Sequence, residues 1–89
     1  MWKTIYVTCA VSQGLFDSEY YITLNDSSAY VDRANVQVKE NPQNGDEVKG
    51  RVIAYLIEEK SDRALIELPG EPVVGGLRTW VPKGDFAFA

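Results

Sequence analysis

An all-β domain, a small barrel or strongly curled antiparallel sheet of about six strands, is the fold this sequence predicts. Three observations predict it. Apolar residues recur with a period of two in one segment after another. Turn-forming residues (Gly, Pro, Asn, Asp, Ser) separate these segments at short intervals. No internal repeat, heptad or low-complexity tract is visible to suggest another architecture.

The first segment, Trp2 to Ser12, places Ile5, Val7, Cys9 and Val11 on one face and Trp2, Thr4, Tyr6 and Thr8 on the other. Gly14 breaks the pattern. From Phe16 to Leu24 the alternation resumes, with Tyr20, Ile22 and Leu24 opposite Glu19, Tyr21 and Thr23, so a hairpin is expected. Asn25-Asp26-Ser27-Ser28 reads as a turn, because these side chains hydrogen-bond to nearby backbone.

A third strand is expected over Ala29 to Val38, where Tyr30-Val31 falls out of phase and suggests a bulge. Residues 39–47, Lys-Glu-Asn-Pro-Gln-Asn-Gly-Asp-Glu, form the clearest loop. Val48 to Glu58 is the longest candidate strand. Its stretch Val52–Ile57 is apolar on both faces and predicts a central position. A short helix over 52–60 is the competing reading, opposed by β-branched residues and by Gly50.

Lys60-Ser61-Asp62 then connects to a strand over Arg63–Leu68, ended by Pro69-Gly70. Val73-Val74-Gly75-Gly76 reads as a flexible connection to a strand over Leu77–Val81, stopped by Pro82. Lys83-Gly84-Asp85 turns the chain. The apolar Phe86-Ala87-Phe88-Ala89 is expected to be tied down by pairing, so that its loss destabilises the fold.

Residues from Gly45-Asp46 through Phe86 resemble a bacterial SH3-like barrel in outline. The features are Gly-Asp entering a long strand, a hairpin, a Gly-containing loop, and Trp80-Val81-Pro82 followed by a turn and Phe86. The resemblance implies a barrel in which Pro82 lies at a position that helps line a peptide groove. The tandem tryptophan and the Ala-Leu-Tyr-Asp-Tyr signature of signalling SH3 domains are absent. Peptide binding is therefore not carried over, and the first forty residues are unmatched.

Eighty-nine residues suit one domain, 1–89, with one core. Hydrophobic residues at 45% and charged residues at 25% are ordinary globular usage, so the chain is expected to fold unaided. The formal charge of −4 disfavours nucleic acid as a partner, although Arg33, Arg51, Arg63 and Arg78 can still share a face. Cys9 has no second cysteine to pair with, which favours a reducing, cytoplasmic setting. There is no signal-like leader and no run near the roughly 18 apolar residues that span a bilayer, so no membrane association is expected.

No catalytic or metal-binding constellation emerges, so no enzyme activity and no cofactor are expected. Histidine is missing, and with it the usual neutral-pH base and the commonest transition-metal ligand. Cys9 sits in an apolar run and reads as a core thiol. The carboxylates of Asp17/Glu19, Asp46/Glu47 and Glu58/Glu59 read as solvated charges near turns. Glycines 70, 75 and 76 lack phosphate-loop spacing and read as turn residues.

Two tryptophans, five tyrosines and three phenylalanines are more than one small core readily hides, which points to an aromatic binding surface. If Leu77, Thr79 and Val81 face inward, Arg78 and Trp80 share the outer face. An exposed Trp beside an Arg has interface hot-spot composition, whereas a Trp closing the barrel end is structural. Tyr6, Trp2 and Tyr55 are candidates for the same surface, with Pro82 beside it.

The leading expectation is a non-catalytic binding or regulatory module for a protein partner or a second copy of itself. A nucleic-acid-binding small barrel is the alternative. A small-molecule site or enzyme using carboxylates comes third.

Overall fold

The computed structural model describes residues 3–88, and it is almost wholly β. The described residues form β1 (Lys3–Gln13), β2 (Glu19–Leu24), β3 (Ser27–Asp32), β4 (Val36–Val38), β5 (Val48–Glu59), β6 (Arg63–Glu67), β7 (Glu71–Val74), β8 (Arg78–Pro82) and β9 (Phe86–Phe88). They make one curled antiparallel sheet in the order β7-β3-β2-β1-β5-β6-β8, with β4 added to β5 and β9 added to β1. The all-β expectation holds, with nine strands in place of about six. Among the described residues no helix is long and apolar enough to cross a membrane.

Period-two patterning sets which side is buried. Ile5, Val7, Cys9 and Val11 of β1 meet Tyr20, Ile22 and Leu24 of β2 and Val52, Ala54 and Leu56 of β5 in one continuous core. Ile66 and Val81 complete it from β6 and β8. Full burial of such side chains contributes about 1.5–3 kcal/mol each.

The strand expected over Ala29–Val38 is two strands separated by a 3-10 turn at Arg33–Asn35. Asp32 accepts a hydrogen bond from the Ala34 N–H (2.9 Å), which favours a turn over a continued ladder. The phase change read as a bulge is this turn. Of the expected turn Asn25–Ser28, only Asn25 and Asp26 turn the chain, with Asn25 at φ 50°; Ser27 and Ser28 are buried in β3.

The segment read as a flexible connection also differs, because Glu71–Val74 is β7, paired with β3 at Ser28, Ala29 and Tyr30. Its side chains are all exposed, and Pro72 suits a strand with one free edge.

The chain repeats itself in three dimensions although no repeat shows in the sequence. Each half runs a long strand, two shorter strands, a 3-10 turn and a short strand, with β7 an additional strand of the second half. The Arg33 N–H donates to the Ser18 carbonyl (3.0 Å), and in the second half the Lys83 N–H donates to the Asp62 carbonyl (3.2 Å). Ile22 faces Ala29 in one half as Ile66 faces Thr79 in the other.

The two halves exchange their last strands. β4 of the first pairs with β5 of the second at Val36↔Val52, and β9 pairs with β1 at Phe86↔Val7. Val7 and Val52 are themselves partners at the centre. The halves lie end to end, consistent with dimensions of 38 × 23 × 22 Å.

The 39–47 loop is anchored on the first half. Pro42 is fully buried, the Gln13 side chain donates to the Pro42 carbonyl (3.1 Å), and the Tyr20 hydroxyl donates to Asn41 Oδ1.

Candidate functional site

Strand register places Arg78, Trp80, Pro82, Tyr55 and Tyr6 on the outer face of the sheet but divides them into two groups. On β8, Thr79 and Val81 are buried, so Arg78, Trp80 and Pro82 face outward. Opposite them on β6 stand Glu67, Leu65 and Arg63. Arg78 Nε meets Glu67 Oε1 at 2.8 Å, and Glu67 pairs in register with Tyr55 of β5, which is 40% exposed. Arg78, Trp80, Pro82 and Tyr55 therefore form one patch.

Trp80 is half-buried. The Arg63 guanidinium lies over its ring at 4.5 Å and the Lys60 ammonium at 5.2 Å, a geometry in which the ring face attracts cations. Its carbonyl accepts from the Asn25 side chain at 2.6 Å. The turn of the first half thus holds the β8 backbone in the second. Arg63 was considered in the sequence only as one of four arginines able to share a face, and Lys60 only as part of a connection. Lys60 in the 60–62 connection and Arg63 just after it became candidates once β6 and β8 paired.

Tyr6 belongs to a second group. It faces outward on β1, opposite Ile53, and its ring lies 4.7 Å beneath the Arg51 guanidinium of β5. Arg51 also donates to the Gln37 side chain of β4 at 2.8 Å. This pair borders a groove of roughly 540 Å³ lined by residues including Thr8, Gln37, Lys39, Lys49 and Arg51. Lys49 and Arg51, two apart on one strand face, were the available sequence signal. Lys39 joins them only through β4–β5 pairing. Trp2 lies outside the described residues.

Leu15 and Phe16, at the tip of the β1–β2 hairpin, are 72% and 70% exposed and were also missed. Phe16 was expected to open the second strand, but that strand begins only at Glu19, so Phe16 lies with Leu15 in the connection.

Cys9 is buried, and burial pushes its thiol from 9.0 up to about 12, so it stays protonated at neutral pH. Between these values the unfolded chain releases the thiol proton and the folded chain keeps it, so stability falls as pH rises. Raising the pH from 8 to 10.5 should narrow the stability gap between wild type and Cys9→Ala by about 2 kcal/mol. Urea unfolding of both proteins at the two pH values checks this; a constant gap would contradict it. Among the described residues no group of three His, Cys, Asp or Glu is placed to hold a metal ion.

The chain matches no protein-family model, no curated protein and no solved structure.

Proposed function

We propose that the domain is a non-catalytic binding module that engages a protein partner through the outer face of β5, β6 and β8, with Trp80 as anchor. The observation that carries this reading is the way Trp80 is held. Two cations lie over its ring and a hydrogen bond from Asn25 fixes its carbonyl, yet the side chain is left half-exposed. An aromatic held in place loses little freedom on binding, and Trp, Tyr and Arg dominate interface energetics. The Glu67–Arg78 pair beside it supplies the polar border such anchors usually have.

A second copy of the chain is one such partner, and a cytoplasmic setting fits a buried, unpaired Cys9. The strand, 3-10 turn and strand ending each half accord with the SH3-like outline of residues 45–86.

Pull-down from lysate with wild type, Trp80→Ala and Phe16→Ala, with and without nuclease, tests the reading once all three are shown to fold. Trp80→Ala should weaken capture of a specific protein about 30-fold or more, and Phe16→Ala should leave it unchanged. Capture that survives Trp80→Ala removes the anchor, and nuclease-sensitive capture replaces the protein partner with nucleic acid.

A further inference from the structure

The groove between β4, β5 and β1 gathers positive charge in a concavity. The chain carries 13 Asp plus Glu against nine Lys plus Arg, yet Lys39, Lys49 and Arg51 line this single groove. Among the described residues none of the three is ion-paired, whereas Arg78 pairs with Glu67 and Lys83 with Glu59. Like charges gathered around one concavity repel each other, and a bound anion relieves that repulsion.

Arg51 is also set in place in advance. Gln37 accepts from its Nη2 and the Tyr6 ring supports its plane, so its remaining donors reach a ligand with little loss of freedom. Thr8 adds a hydroxyl to the lining.

We propose that this groove binds the phosphate groups of an anionic ligand of nucleotide size. Its roughly 540 Å³ lies within the range of small-molecule sites. Polyphosphate rather than a base is the part recognised, because Arg51 already covers the face of Tyr6. Glu47 lines the smaller adjoining hollow shared with Thr8 and Lys49, and so favours placing the anion toward Lys39 and Arg51. This site is separate from the Trp80 patch and does not depend on it.

The test is titration of the isotope-labelled full chain with inorganic pyrophosphate, a nucleoside triphosphate and oligothymidylate, followed by amide NMR. Saturable shifts at Thr8, Gly50 and Arg51, with Kd below about 1 mM at moderate salt, are expected. Arg51→Gln and Lys49→Gln should each weaken binding about tenfold, while Lys83→Gln, at a surface cation paired with Glu59, should not. Tightest binding by the triphosphate identifies a free nucleotide, and tightest binding by the oligonucleotide identifies a strand backbone; either keeps the phosphate site. Failure of pyrophosphate to saturate, or equal weakening by Lys83→Gln, overturns the proposal.

Discussion

Ending the chain at Asp85 should destabilise the domain by about 3–5 kcal/mol, a large share of the 5–15 kcal/mol typical of whole domains. The deleted β9 pairs with Ile5, Tyr6 and Val7 of β1, and Phe86 packs against the core from a half-buried position. Loss of the Phe86 contacts accounts for about 1–2 kcal/mol and each lost ladder hydrogen bond for about 1. Part of the β1 edge is uncovered at the same time. Urea unfolding should show the loss directly, and the melting temperature should fall by roughly 15–30 °C. An unchanged midpoint would mean that β9 contributes nothing to the fold.

Ile22→Ala and Ile66→Ala should each cost about 2–5 kcal/mol, and each should weaken the whole molecule rather than its own half. The two isoleucines are both fully buried and occupy equivalent positions on β2 and β6. Neither half can open alone, because β1 and β5 run through both. The first part of β1 carries β9 and its last part carries β2, while β5 carries β4 and then β6. Calorimetric and van't Hoff enthalpies should therefore agree in both variants. Strong protection of first-half amides persisting in Ile66→Ala after the second half opens would show two independent units.

Alternation revealed the strands whose one face is buried. β1, β2 and β6 were expected because their inward residues are apolar and their outward residues mostly are not, and β5 because its middle is apolar on both faces. The same logic put Arg78, Trp80 and Pro82 on one outer face.

β7 escaped notice because all four of its side chains are exposed, so it pairs with β3 through backbone and shows no alternation of apolar and polar residues. The repeat was hidden because matched positions differ in volume, as Tyr20 does from Ala64 and Val36 from Phe86; only the backbone step is kept. The cationic groove draws its members from segments far apart in the chain, and only the register Gln37↔Arg51 brings them together. Tyr6 and Trp80 were grouped as one surface on composition, yet each is occupied by a different cation.

Strand exchange between the halves gives the 39–47 segment an unusual status. Topologically the molecule is a swapped dimer whose two subunits happen to be joined by one covalent strap. Cutting that strap severs no ladder, because β1 with β5, β4 with β5 and β9 with β1 all cross the junction regardless. The strap acts instead on concentration, keeping the two partners together at any dilution. It also makes them distinguishable, so each is free to diverge. The three cations lining a groove beside β4 and the cation-covered Trp80 on β8 are differences between the halves that two identical subunits could not carry.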